Sequence, residues 1–271
     1  MTPTASTGLY GVIGCPVGQS LGPVMHNAAF RAMDLDAVYL AFDSRDPAGC
    51  LEGARALGIR GLSVTMPHKT AVLPLLDHVD EKARRIGAVN TVVNDHGRLV
   101  GFNTDGAGAL EAIRTRIEPR GLSALVVGAG GAGHAVACAL AEAGARLIIA
   151  NRSREHGKAL AGSIPCPHVP LGGIIDLEFD ILVQASSVGM VGGPAGMAVP
   201  REVLQEGLVV LESVYRPEAT ELLLEAQRRG CVTVSGVEMF VRQGAEQIRL
   251  WTGREPPVEA MRRVVSQGGV S

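Results

Sequence analysis

The 271-residue chain predicts a mainly parallel α/β protein, and three features carry that prediction. Short apolar runs alternate with longer amphipathic ones along most of the length, the rhythm of strands joined by crossover helices. A glycine cluster, Gly128-Ala129-Gly130-Gly131-Ala132-Gly133, separates a strongly apolar run from an alanine-rich one, as in the first turn of a Rossmann-type dinucleotide-binding fold. A break at Pro119-Arg120-Gly121 reads as a junction between two α/β domains. With 46% hydrophobic and 19% charged residues, the chain carries enough apolar material for a core in each.

The elements follow in order. Apolar runs predict strands over 9–14, 37–42 and 61–65, with amphipathic helices over 22–33 and 47–57 between them. Met66-Pro67 interrupts the pattern, because a residue before proline avoids the α region. Extended segments over 88–93 and 98–102 flank Asp95-His96-Gly97, a hairpin turn. A helix should then run from Asp105 to about Ile117 and lead into the junction. Beyond it, strands are expected over 124–127, 146–150, 181–184, 208–212 and 232–234. Helices are expected over 132–143, 154–161, 220–229, 238–251 and 257–265, while 165–177 shows no periodicity of either kind.

Composition narrows the partners. The formal net charge is -2 with no long basic run, so nothing supports a nucleic-acid partner. The five cysteines are scattered without a CxxC pair, which suggests neither a disulfide framework nor a metal site. The polar stretch 1–7 lacks an apolar secretion core, and no apolar run reaches the roughly 20 residues of a membrane span. A cytoplasmic protein without membrane or metal is expected.

Gly128, Gly130 and Gly133 have the GxGxxG spacing, in which the first glycine allows the turn, the second admits a pyrophosphate and the third permits close helix packing. The following helix offers free N–H groups and a positive dipole end to phosphate. A dinucleotide selective for NAD meets an acidic residue about 20 residues past the loop. Here Asn151-Arg152-Ser153-Arg154 occupies that place, and a guanidinium pairs with a 2′-phosphate that a carboxylate would repel. NADP(H) is the expected cofactor.

Ordered blocks along the rest of the chain resemble the shikimate dehydrogenase family. They are Gly14-Cys15-Pro16-Val17-Gly18-Gln19-Ser20-Leu21-Gly22-Pro23 with His26-Asn27, then Val64-Thr65-Met66-Pro67-His68-Lys69, Gly87-Ala88-Val89-Asn90-Thr91 and Asn103-Thr104-Asp105-Gly106. Ser186-Ser187-Val188-Gly189-Met190, Val214-Tyr215-Arg216-Pro217 and Gly236-Val237-Glu238-Met239 with Gln243-Gly244-Ala245 complete the set.

The resemblance implies a substrate domain over 1–105, completed by helices over 237–271, and an NADP-binding domain over 106–236, with a cleft between them. It implies reversible reduction of 3-dehydroshikimate to shikimate by a monomer or homodimer. Lys69 and Asp105 match the family's catalytic pair. Ser20, Thr65, Asn90, Gln243 and Tyr215 match substrate-binding positions. Gly128, Ala129, Gly130, Gly131, Ala132 and Gly133, with Asn151, Arg152, Ser153, Arg154, Met190 and Gly236, match cofactor contacts.

The chemistry asks for these residue types on its own account. Hydride arriving at a carbonyl carbon builds charge on oxygen, which needs a placed donor or acid. Lys69 supplies one, and a carboxylate at Asp105 would hold the ammonium while raising its pKa. Whether the lysine transfers the proton or mainly stabilises the oxyanion stays open at this level. Taken alone, a lysine after a proline is a solvated helix start, and Asp105 is a helix cap.

The family's run of two serines is broken, because Gly22 stands where the second hydroxyl would be. Ser63 and Gln184 replace asparagines, and Glu212 replaces an aspartate. A quinate/shikimate or related polyol dehydrogenase using NAD or NADP is therefore the rival reading, and a serine at position 22 is expected to tighten shikimate binding.

Overall fold

Two six-stranded sheets account for the strands of the molecule, which is a computed structural model describing residues 2–267. Met1 and residues 268–271, the outermost parts of the expected 1–105 and 237–271 segments, lie outside the described residues. The chain forms two compact units, one from residues up to Thr104 together with those from Gln243 onward, the other from Asp105–Arg242.

The first unit contains β1 (Gly8–Gly14), α1 (Gly22–Ala32), β2 (Ala37–Asp43), α2 (Pro47–Ala56), β3 (Gly61–Val64), β4 (His78–Val79), α3 (Glu81–Ile86), β5 (Thr91–Asp95) and β6 (Arg98–Phe102). Its sheet runs β2-β1-β3-β5-β6-β4, with β1, β2 and β3 parallel and β5 antiparallel to both β3 and β6. Asp46 caps α2 by accepting from Gly49 N, just before Pro47 at the first helical position. The β5–β6 hairpin turns through His96 and Gly97, both at positive φ, the conformation that two-residue loops favour. Ile13, Leu62, Val64, Val92 and Leu99 pack under α2 and α3 side chains such as Leu51 and Ala83.

The second unit contains α4 (Asp105–Arg114), β7 (Ser123–Val127), α5 (Gly131–Glu142), β8 (Arg146–Asn151), α6 (Arg154–Ser163), β9 (His168–Pro170), β10 (Ile181–Gln184), β11 (Val209–Glu212), α7 (Glu221–Arg228) and β12 (Val232–Val234). Its sheet is wholly parallel in the order β12-β11-β10-β7-β8-β9, the doubly wound order whose direction reverses between β7 and β10. Alternate residues of β7 enter opposite cores, Ala124 and Val126 on one face, Leu125 and Val127 on the other. A strand covered on both faces reads as an unbroken apolar run, as this one does. Burying each large side chain there contributes about 1.5–3 kcal/mol. Helix α8 (Gly236–Thr252) begins in this unit, and α9 (Val258–Ser266) packs on α1 in the first.

Some elements differ from expectation. Asp105 and the residues from Val237 to Arg242 fall in the second unit, because α4 packs on α5 and Met239 joins that unit's core. Strands β4 and β9 and helix α3 are additional, and each strand is held by a neighbour's register, His78 by Val100 and His168 by Ile149. Among the described residues, no helix is long and apolar enough to cross a membrane.

Candidate active site

In the first unit, the expected substrate positions lie on the loops after β1 and β3 (Ser20 and Thr65), just before β5 (Asn90) and on α8 (Gln243). Thr65 follows β3 directly, and its N–H donates to Ile13 O at 3.0 Å. His68 N donates back to Thr65 O at 2.9 Å, and Val89 N donates to Lys69 O at 2.8 Å, so both ends of the Thr65–Lys69 turn are fixed. The His68 ring, buried, is tied through Nε2 to Ser44 O at 2.6 Å. Lys69 is half-buried on this turn.

Asn90 is 2% exposed and oriented by its neighbours. Its Oδ1 accepts from Thr91 Oγ1 at 2.7 Å and from Thr104 N at 2.8 Å. That leaves Nδ2 facing Thr104 Oγ1 at 3.0 Å and Gln243 Oε1 at 3.5 Å. Asn90 and Gln243 are therefore brought together although they are 153 residues apart. Gln247, one helical turn beyond Gln243, donates to Asn90 O at 3.2 Å and to Thr91 Oγ1 at 3.0 Å. Ser63 Oγ donates to Gln247 Oε1 at 2.9 Å, and the Tyr39 hydroxyl donates to Ser63 at 2.6 Å. This buried chain escaped the sequence reading; its only signal is a pair of glutamines four residues apart on one helix face.

The chain ends at Gly22. Ser20 Oγ accepts from Gly22 N at 3.1 Å, and His26 Nδ1 donates to Gly22 O at 3.0 Å. The His26 ring stacks on Tyr39 at 4.2 Å, and burial pushes its imidazole down to about 4. A β-carbon at position 22 would stand 3.1 Å from Ser20 Oγ and 3.3 Å from the Tyr39 ring. A serine there would need Ser20 or Tyr39 to give way by a few tenths of an ångström.

In the second unit, the expected cofactor positions lie at the carboxyl ends of β7, β8, β10 and β12. Gly128 turns at φ +116 with Ala185 O 2.7 Å from where a β-carbon would be, and a β-carbon on Gly133 would lie 2.0 Å from Gly128 O. Only glycine fits either place. Gly130, by contrast, has nothing within 4 Å of its missing β-carbon and is exposed. It stands as N-cap of α5 with no side chain covering the helix end, an open cradle for an anion that fits a dinucleotide pyrophosphate. Asn151 ends β8 and accepts from Ala129 N at 3.2 Å, which locks the loop to the neighbouring strand. Ser153 caps α6, and Arg152 and Arg154 are exposed beside it. These residues fit a 2′-phosphate, with Ala132 and Gly131 in the first turn of α5.

Tyr215 is a substrate expectation placed in this second unit, apart from the other four. It stacks on Phe240 at 4.6 Å, and burial pushes its phenol up. A β-carbon on Gly236, at the start of α8, would meet Val214 O at 2.2 Å, so Gly236 presses against the Tyr215 segment. Met190 lies on the loop after β10, where Val191 N donates to Arg216 O at 3.1 Å. Among the described residues, no group of three or more His, Cys, Asp or Glu side chains could hold a metal ion.

Comparison with known proteins agrees with both halves. Residues 12–92 match the model of a shikimate dehydrogenase substrate binding domain, 113–187 that of shikimate / quinate 5-dehydrogenase, and 236–265 that of a shikimate 5'-dehydrogenase C-terminal domain. A shikimate dehydrogenase (NADP(+)) from Thermococcus kodakarensis is 47% identical over 270 residues, covering 97% of this chain and 98% of that protein. Its counterpart from Syntrophobacter fumaroxidans is 44% identical over 275 residues, covering 98% and 96%. A shikimate dehydrogenase solved with NADP+ superposes with a TM-score of 0.95 at 38% identity, covering 100% of this chain and 98% of its own. The Thermus thermophilus enzyme with NADP(H) and shikimate gives 0.89 at 38% identity, covering 96% and 99%. A quinate dehydrogenase from Corynebacterium glutamicum with NAD gives 0.86 at 37%, covering 96% and 99%.

Proposed function

This chain belongs to the shikimate dehydrogenase family, and from that premise we infer that it is an NADP-dependent oxidoreductase acting on a CH–OH group, reversibly reducing 3-dehydroshikimate to shikimate on the way to the aromatic amino acids. The observation that carries the reading is the pairing of an open glycine cradle in one unit with a buried, oriented Asn90–Gln243 amide pair in the other.

Residues up to Thr104, with those from Gln243 onward, bind the ring. The amides of Asn90 and Gln243 and the Thr65 hydroxyl are suited to ring hydroxyls, since each pairs with a donor or acceptor on the substrate. Ser20 and Tyr215 are the hydroxyls suited to the substrate carboxylate. Residues 105–242 bind the dinucleotide. The backbone of Gly128–Gly133 takes the pyrophosphate, Asn151 to Arg154 the adenosine ribose and its 2′-phosphate, and Met190 and Gly236 the nicotinamide. The bound cofactor supplies a hydride to the carbonyl carbon. Lys69 then delivers a proton to the developing alkoxide, and its positive charge stabilises that oxygen before transfer. Asp105, a buried carboxylate at the start of α4, accepts a hydrogen bond from a substrate hydroxyl.

Free thiols at all five cysteines fit a reducing cytoplasm, and we assign the protein there, as a monomer or homodimer. Incubation of the purified protein with 3-dehydroshikimate and NADPH tests the reaction. Shikimate should accumulate mole for mole with NADP+, and consumption of NADPH without shikimate would refute the assignment.

A further inference from the structure

At the carboxyl end of β11 in the second unit lies a buried carboxylate with no part in the proposed reaction. Glu212, the last residue of β11, is 1% exposed. Its Oε1 accepts from Val214 N at 2.9 Å and from Gln184 Nε2 at 3.2 Å, and its Oε2 accepts from Thr220 Oγ1 at 3.1 Å. Every one of these contacts is a donor, so the pocket is lined for an anion.

The partners of Glu212 each control a segment of the candidate site. Gln184, also 1% exposed, ends β10; its Oε1 accepts from Ser186 N at 2.6 Å and its Nε2 faces Val188 O at 3.1 Å. It thereby shapes the turn that leads into Met190. Val214 leads into Tyr215, and Thr220 caps α7 and would stand 3.6 Å from a β-carbon on Gly189. Three segments that are separate in sequence converge on one carboxylate.

We propose that Glu212, acting through Gln184 and Thr220, is the positioning residue that holds the Met190 loop against the Tyr215 segment and so sets the nicotinamide end of the dinucleotide site. The inference rests on the reading of residues 105–242 as the NADP(H)-binding unit. It assigns Glu212 no contact with substrate or cofactor.

Protonation offers a handle on this role. Burial pushes the Glu212 carboxyl up to about 7, against the pull of its hydrogen bonds to Val214, Thr220, Gln184 and Ser213. The groups that face it from β10, from the β11 exit and from the α7 cap are thus Gln184, Ser213, Val214 and Thr220, all uncharged. Tyr215 nearby is pushed up by burial, away from pH 7. A proton on Glu212 needs an acceptor, and in a pocket of donors it displaces one of them. The positioned form is therefore the deprotonated one, and it is lost as pH falls through about 7. The same shift lowers fold stability as pH rises from the unfolded value of 4.5 to about 7, since the native state holds its proton longer.

The test reads bound NADPH by its nicotinamide fluorescence, at saturation, across the pH range on either side of 7, together with its dissociation constant. In the parent the bound-state emission should titrate with a midpoint near 7. Glu212→Gln should show one emission level throughout, close to the parent's low-pH level, with a dissociation constant within about two-fold, because the phosphate cradle is untouched. The 2′-phosphate titrates in both proteins alike and cancels in the comparison. Thr220→Val should move emission in the same direction and Thr220→Ser should restore it, which guards against a Glu212→Gln protein that fails to fold. A parental pH profile surviving in Glu212→Gln, or emission and affinity falling together in both the Glu212 and Thr220→Val proteins, would overturn the proposal. Parent protein that binds NADPH but forms no shikimate would refute the assigned reaction while this comparison still stands. Parent protein that binds no NADPH would overturn both.

Discussion

In residues 105–242 the candidate contacts to a dinucleotide are mostly main-chain groups that lie together in sequence. In the unit formed by residues up to Thr104 and from Gln243 onward, the candidate contacts to a ring are side chains drawn from distant segments. The glycine loop can form because β-carbons are missing at Gly133 and Gly128, where they would lie 2.0 and 2.7 Å from backbone oxygens. Asn90 works because Thr91, Thr104 and Gln247 hold its amide and carbonyl in place. A main-chain site tolerates change in its surroundings but not in its glycines. A side-chain site depends on residues that never touch the ligand.

The largest effect should fall on the chemistry itself. Lys69→Ala should lower kcat by about 10²–10⁴, the usual worth of a placed proton donor, and leave the NADPH dissociation constant unchanged. A loss confined to KM would make Lys69 a binding residue. Next comes the main-chain site. Gly133→Ala forces a β-carbon into Gly128 O, and overpacking of this kind costs about 1–3 kcal/mol, so NADPH affinity should fall by about ten-fold or more with a lower Tm. Titration of NADPH by fluorescence checks it.

A smaller effect probes the side-chain site through its support. Gln247→Leu removes the acceptor of Ser63 and a donor to Thr91 and to Asn90 O, at a net cost of about 0.5–1.5 kcal/mol per hydrogen bond, while Tyr39 and Asn90 Oδ1 still pair with the two hydroxyls. Part of that cost relaxes, and KM for shikimate should rise by about ten-fold while NADPH affinity holds. A fall in Tm alone, with KM unchanged, would separate Asn90's orientation from binding. The smallest effect is expected at Gly22. Its φ is not positive, so the backbone accepts serine, but a β-carbon there would crowd Ser20 and Tyr39. Gly22→Ser should change KM for shikimate by less than about three-fold, because crowding offsets the added donor. A clear fall in KM would show that Tyr39 yields and that the missing hydroxyl matters.

The two regions also differ in how much the sequence revealed. The glycine spacing, the apolar strand before it and Asn151 at the end of β8 are local, and local geometry follows from them. The doubly wound order of the second sheet follows the same logic, as each crossover helix carries its own periodic pattern. The buried chain from Tyr39 through Ser63 to Gln247 has no such signature, since its members come from β2, β3 and α8 and meet only in the folded unit. The loop alone shows the hydroxyl that Gly22 lacks, but not that Tyr39, on β2, stands 3.3 Å from where a β-carbon would be. Strands β4 and β9 are too short to show a period, and their neighbours impose them.

The specificity of the ring site for shikimate, paired with a cradle for NADP, is most directly tested by one set of steady-state measurements. Purified protein is assayed for oxidation of shikimate and of quinate, each with NADP+ and with NAD+. Shikimate with NADP+ should give the highest kcat/KM of the four, with NAD+ poorer because Arg152 and Arg154 have no phosphate to pair with. The highest value with quinate and NAD+ would contradict the account.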